Sequence, residues 1–326
     1  NKKFITLSLK REKGKKILLD LVKASDVFLE SYTPGTLNRL GVGYEKQMEV
    51  NPRIIYASIS GYGYTGPSKD SPGQDYMAQA RSGIMSVTGF PDSPPVLSAH
   101  GITDHLAAIY MALAIVAALR HRDKTGRGQR IDISLFDVAV DFLSEYNTRY
   151  MAEGVPPTRN GNRGIYGGCN VYKAKDGHVL IYYILSWNQL LKAIGREDLI
   201  GHPDYTLFKI LSNPEVDQMI QDWVKTKTKK EAFELLSKEG VTCGPVQTID
   251  EMFEDPQVLA RNIFVDVDHP NIGKVKIQRT PLNLSETPSR VKWLNCSLGY
   301  HNEEVYGNLL GYSKEKIGKL REEGAL

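Results

Sequence analysis

Val27-Phe28-Leu29-Glu30, a turn at Thr33-Pro34-Gly35, the helical pattern Tyr44-Glu45-Lys46-Gln47-Met48-Glu49-Val50 and the run Arg53-Ile54-Ile55-Tyr56-Ala57-Ser58-Ile59-Ser60 decide the fold class. Strands alternating with helical patterns at this spacing predict an α/β protein with a largely parallel sheet. Working outward, residues 14–24 carry a further helical pattern, and a short helix should end near Gly41. The first ten residues, Asn1-Lys2-Lys3-Phe4-Ile5-Thr6-Leu7-Ser8-Leu9-Lys10, alternate as a strand would. An alternation already under way at Asn1 leads to the expectation that the natural protein carries material ahead of it. In the other direction, residues 74–83 should be helical, Arg130-Ile131-Asp132-Ile133-Ser134-Leu135 alternates as a strand, and 136–150 reads as one helix.

The pattern changes after Glu153. Residues 154–168 form a long loop rich in Gly and Pro, of the kind that serves as a linker or a functional lid. A hairpin about Lys175-Asp176-Gly177 follows, then helical stretches at 187–194, 215–226, 230–239 and 249–254. Strands are expected at 264–268 and 274–278, and two amphipathic helices at 302–310 and 313–323. The resulting division is a large domain over 1–165, a small α+β domain over 166–281, and a segment 282–326 that returns to the large domain.

Composition narrows the function classes. The 326 residues are 41% hydrophobic and 24% charged, as in soluble globular proteins. A formal net charge of +3 with scattered basic residues points to neither nucleic acid nor a membrane surface as partner. Cys169, Cys243 and Cys296 form neither a disulfide framework nor a zinc pattern, so a reducing cytoplasm is the expected location. The seven histidines include no His-x-x-x-His pair, and no metal is expected. The apolar run after His105, about fourteen residues and rich in Ala, reads as too short to cross a bilayer.

Two motifs bear on chemistry. Gly61-Tyr62-Gly63-Tyr64-Thr65-Gly66 matches the G-x-G-x-x-G pattern after a strand, but Pro67-Ser68-Lys69-Asp70-Ser71-Pro72-Gly73 follows. A dinucleotide site needs a helix to open there, so its amides can meet the pyrophosphate; this stretch is loop. Asp104, in Gly101-Ile102-Thr103-Asp104-His105, opens a helix without another charge until Arg120. A helix apolar on every face is expected to be buried, with its N-terminal dipole holding the carboxylate ionised. On these residues alone Asp104 reads as a structural first-turn residue or as a nucleophile toward an activated acyl group.

Taken together, Asn1-Lys2-Lys3-x-Ile5-x-Leu7-x-Leu9-Lys10, Pro34-Gly35-x-x-x-Arg39-Leu40-Gly41, Gly61-Tyr62-Gly63-x-x-Gly66-Pro67 and Gly73-x-Asp75-x-x-x-Gln79-Ala80 are joined by Asp104, Lys124-Thr125-Gly126-Arg127-Gly128-Gln129, Cys243-Gly244-Pro245-Val246 and Asp255-Pro256-Gln257. In this order they make the chain resemble the class III CoA-transferases, the group that includes formyl-CoA transferase, carnitine-related CoA-transferases and α-methylacyl-CoA racemase. The resemblance implies a Rossmann-like large domain, an interlaced homodimer, and acyl-CoA with a small carboxylic acid as substrates. It implies Asp104 as the nucleophile, passing through an aspartyl anhydride and an aspartyl-CoA thioester. It places Leu7, Lys10, Ser31, Tyr32 and Arg39 at coenzyme A, with Ser31-Tyr32 where the family often has Asn-Phe. Taken alone, Lys10 and Arg39 also read as solvated surface cations. By position, Gly167 and Gly168 match the family's mobile glycine loop over the site. Gln74 stands where the racemase branch has a His base; Gln takes no proton but can orient a substrate. The alternatives are a racemase or epimerase, or a non-catalytic acyl-CoA-binding homologue. His105 is expected to face away from the site.

Overall fold

Ile54-Ile55-Tyr56-Ala57 is apolar without interruption and all four residues are buried, as in a strand covered on both faces. In the computed structural model, which describes residues 1–98, 100–211, 213–269, 271–294 and 297–326, this run enters β2 (Ile55–Ser60). β2 is the central strand of a parallel three-stranded sheet, between β1 (Val27–Glu30) and β3 (Arg130–Ser134). Ile55 lies opposite Val27, and Ala57 opposite both Leu29 and Ile131. The helices that matter around this sheet are α1 (Glu12–Lys23), α2 (Asp75–Ser82), α3 (Ile102–Thr125) and α4 (Leu135–Phe142). Residues 61–74 are turn and loop, and α2 opens only at Asp75, as the proline-rich sequence requires.

Several expectations are corrected. Residues 1–10 form no strand. Their backbone bonds go to scattered partners: Phe4 N–H donates to His301 Nδ1 at 3.0 Å, Thr6 N–H to Asn302 Oδ1 at 2.9 Å, and Ser8 N–H to the Ala325 carbonyl at 2.9 Å. Residues 136–150 belong to two helices, α4 and Ser144–Glu153, which meet at Leu143. The helix after His100 is not buried all round. α3 buries one stripe, Thr103, Ala107, Met111, Ala118 and Arg122, while Ile109, Leu113 and Val116 are 66%, 66% and 64% exposed. Small Ala side chains let the stripe lie close to its neighbours, and the bulky residues project the other way. At 24 residues α3 is also long and apolar enough to span a bilayer by length and composition, contrary to the shorter run expected.

The chain divides into two compact units, one of residues 1–85, 97–156 and 262–326, the other of 86–96 and 157–261. These bounds depart from 1–165, 166–281 and 282–326 at three places, one being residues 157–165, which group with the second unit. The loop 86–96 joins the second unit, where Arg159 donates to the carbonyls of Phe90, Pro91 and Ser93. The hairpin β7 (Phe264–His269) with β8 (Gly273–Gln278) groups with the first. The second unit is an antiparallel sheet, β4 (Cys169–Lys173), β5 (His178–Tyr182) and β6 (Thr242–Pro245), packed by α5 (Pro214–Val224) and α6 (Lys229–Lys238). Cys169 and Cys243 are free thiols; Cys296 lies outside the described residues.

Candidate active site

Ser31, Gly61 and Leu135 each follow the last residue of a parallel strand, and all three line one cavity of about 470 Å³. Crevices at the carboxyl ends of parallel strands are where open α/β sheets bind ligands. The floor is tight because Gly61 and Gly73 touch: a Cβ on Gly61 would stand 2.5 Å from the Gly73 Cα. Two helix N-termini complete the wall. Gln74 and Asp75 come from α2, Gly101, Asp104 and His105 from α3, and His100 from the residue just ahead.

Asp75 fixes these two helix ends together. One of its oxygens accepts from the Thr103 amide at 2.8 Å and the Thr103 hydroxyl at 2.7 Å, and the other from Gln79 Nε2 at 2.6 Å. Burial by itself would raise its carboxyl; the Thr103 and Gln79 donors outweigh that and hold it below the usual carboxylate range. Asp104, in the first turn of α3, is the adjacent carboxylate. Burial, then the negative charge of Asp75, push its carboxyl up, while His105 and His100 pull the other way. The helix end is therefore not the sole influence on the Asp104 carboxyl: burial and the neighbouring anion oppose it. Gln74 is the N-cap residue of α2 without a side-chain capping bond, which leaves its amide available to the cavity.

His105 lines this cavity instead of facing away. Its Nδ1 lies 2.9 Å from the Gly101 carbonyl, and its ring centroid is 5.1 Å from that of His100. The one-turn bond to Gly101 turns the imidazole back toward the helix start, which periodicity cannot show.

The structure brings Asp104, Gln74 and Ser31 together and leaves the other named positions outside that lining. Tyr32 is half exposed, and its amide donates to the buried Glu30 carboxylate at 2.7 Å. Glu30 also accepts from the Tyr64 hydroxyl at 2.9 Å and from Ser58, and the Arg130 guanidinium stands 3.5 Å over the Tyr64 ring. This network, which sets the course of the Ser31-Tyr32 turn, was missed in the sequence; a lone Glu ending an apolar strand was its one signal. Arg39 is exposed and bonded to the Thr36 hydroxyl at 2.9 Å, and Lys10 is exposed. Leu7 packs against the cluster of Ile17, Tyr306 and Ile317.

Gly167 and Gly168 belong to the second unit, both in the left-handed region with φ 76° and 66°. The Gly168 amide donates to the Leu211 carbonyl at 2.9 Å, and its carbonyl accepts from the Tyr183 amide at 2.8 Å. A Cβ on Gly167 would come within 2.3 Å of the Leu211 oxygen. These contacts hold the pair in the conformation seen here. Among the described residues no group of His, Cys, Asp and Glu is arranged to hold a metal ion.

Comparison with known proteins agrees with this geometry. The profile of CoA-transferase family III matches residues 1–302. A formyl-CoA:oxalate CoA-transferase of Rhodopseudomonas palustris strain HaA2 is 33% identical, over 100% of this chain and 83% of its own. A succinyl-CoA–D-citramalate CoA-transferase of Chloroflexus aurantiacus is 32% identical, over 98% of this chain and 81% of its own. The crystal structure of a CAIB/BAIF family protein from Brucella suis superposes with a TM-score of 0.80 at 28% identity, covering 94% of this chain and 81% of that one. With the family profile matched over residues 1–302 and relatives about one-third identical along the whole of this chain, the chain belongs to CoA-transferase family III.

Proposed function

We propose that the protein moves CoA from an acyl-CoA to a small carboxylic acid with Asp104 as the covalent acceptor. An Asp104 oxygen attacks the thioester carbonyl, the C–S bond breaks, and the electron pair leaves on sulfur as CoA thiolate. The thiolate then attacks the Asp104 carbonyl of the anhydride, releasing the first acid and leaving an aspartyl-CoA thioester. The incoming carboxylate attacks that thioester to form a second anhydride, and thiolate attack on its acyl carbon yields the new acyl-CoA and frees Asp104. Both kinds of intermediate are activated, so the exchange needs no further energy source.

The observation that carries this reading is the placement of Asp104 in the crevice at the carboxyl ends of the parallel strands, beside Gln74 and Asp75. Asp75 is held ionised by Thr103 and Gln79, and its charge raises the energy of the Asp104 carboxylate. Acylation removes the Asp104 charge, so the repulsion present at the start favours the covalent state. Gln74 would orient the acyl carbonyl or the acceptor by its amide. Lys10 and Arg39 would meet the phosphates of coenzyme A, with Leu7, Ser31 and Tyr32 around the adenine; the exposed guanidinium of Arg39 and the exposed ring of Tyr32 fit that task. The exposed Ile109, Leu113 and Val116 face of α3 is proposed as part of the contact between two copies in an interlaced homodimer, in a reducing cytoplasm where Cys169 and Cys243 stay thiols. Incubation with a panel of acyl-CoAs and carboxylic acids, with hydroxylamine present during turnover, tests the proposal. Mass spectrometry should find new acyl-CoAs and a hydroxamate at Asp104 alone; a label on another residue would falsify the assignment.

A further inference from the structure

The cavity already holds two carboxylates, Asp75 and Asp104, and the described residues that line it include no Lys or Arg. When the acceptor acid enters, Asp104 is held as its thioester, so the reacting carboxylate joins that of Asp75 as the second negative charge. A dicarboxylic acceptor adds a third, on the carboxylate that does not react. Among the lining residues only His100 and His105 can answer those charges as cations. Both are exposed, so neither is committed to the packing of the fold. His105 Nδ1 lies at 2.9 Å from a carbonyl oxygen, Gly101, so that nitrogen carries a proton and Nε2 is the one left for a ligand. The His100 ring lies beside it at 5.1 Å between centroids, tilted by 52°. Two imidazoles on one wall, next to the nucleophile, form a donor edge matched to a carboxylate rather than to an alkyl chain.

We infer that His100 and His105 form the subsite for the distal carboxylate of a short dicarboxylic acceptor, making them specificity determinants for the transfer proposed above. The inference rests on that reading of Asp104. It assigns the two histidines to binding and gives them no part in making or breaking bonds to the acyl group.

Succinate and butyrate are a matched pair of four-carbon acids that differ in this one group. With acetyl-CoA and formyl-CoA as donors, the wild-type protein should show a higher kcat/KM for succinate than for butyrate. His105→Asn keeps an amide near the Gly101 carbonyl but lacks the outward nitrogen. It should lower the succinate-to-butyrate ratio about tenfold or more, the loss of one charge-assisted hydrogen bond, and should do so through the succinate KM. His105→Gln, whose amide reaches the outward position, should recover part of the ratio, and His100→Asn should lower it as well. The far-ultraviolet spectrum and Tm of the same variants report that they are folded. A wild type that does not prefer succinate, or variants whose ratio stays as in the wild type, would overturn the subsite. If neither acid receives CoA from either donor, the transferase reading of the Asp104 site fails, and the subsite falls with it.

Discussion

Helices α3 and α5 show opposite relations between sequence pattern and burial. α5 is amphipathic, and Val216, Ile220 and Val224, spaced four apart, are completely buried against the antiparallel sheet of its own unit. α3 is apolar nearly all round, yet only the stripe Thr103, Ala107, Met111, Ala118 and Arg122 is covered, and Ile109, Leu113 and Val116 project outward. The first helix satisfies its apolar face inside the chain. The second has more apolar surface than the chain can cover, and an exposed patch of that kind marks a surface meant for contact. The same helix carries Asp104 at its start, so the element that holds the proposed nucleophile also keeps an uncovered apolar face.

The largest effect should come from the catalytic end of α3. Asp104→Asn should lower transfer about a thousandfold or more, the scale seen when a nucleophile is removed, measured by the appearance of new acyl-CoA. The same variant should be more stable than wild type near neutral pH. A carboxyl whose pKa is raised on folding adds stability below its unfolded value and loses it as pH rises through the folded value. The gain in Tm for Asn should therefore be present near pH 7 and vanish below about pH 4. An Asn variant that is less stable at pH 7 would contradict the charge repulsion assigned to Asp75.

Next in size is the contrast between the two helix faces. Ile220→Ala in α5 should cost about 2–5 kcal/mol in denaturant unfolding, as for a fully buried aliphatic residue. Leu113→Ala in α3 should cost within about 0.5 kcal/mol if that face stays in water. Leu113→Glu combined with Val116→Glu should shift the sedimenting mass from two chains to one while the far-ultraviolet spectrum is kept. Full retention of the wild-type mass would remove this face from the proposed homodimer contact.

Thr103→Val tests the clamp that joins α2 to α3. It removes the hydroxyl donor to Asp75 and should cost about 1–3 kcal/mol near neutral pH. The pH dependence is opposite to that of Asp104. A carboxyl whose pKa is lowered on folding contributes stability above its unfolded value, lost as pH falls through the folded one. The Val deficit should accordingly shrink on acidification, and a deficit independent of pH would show that packing and not the carboxylate is involved. The smallest expected effect is none: in deuterated water a 2-methylacyl-CoA should gain no α-deuterium, because Gln74 takes no proton. Incorporation at a rate comparable to turnover would favour the racemase reading.

By itself the sequence determined most of the central elements and their order, though not the state of residues 1–10 or the break at Leu143. The unbroken apolar run of β2, the loop chemistry after Gly66, the hairpin after Gly168 and the amphipathic repeat of α5 all follow from local backbone preference and side-chain period, which one segment expresses alone. Motifs whose order along the chain is specific singled out Asp104 and Gln74, and the fold brings both to one cavity. Tertiary structure decided what those residues meet. Asp75 and Thr103 lie 28 residues apart in the chain and become one hydrogen-bonded unit only when α2 and α3 are brought side by side. The raised carboxyl of Asp104, the turn of His105 into the cavity and the pinning of Gly167 and Gly168 by Leu211 depend on such meetings. So does the loss of strand character in residues 1–10, whose backbone found its partners near residue 300 and at Ala325. Electrostatic energy and burial are properties of pairs brought together by folding, and a pattern along one segment does not contain them.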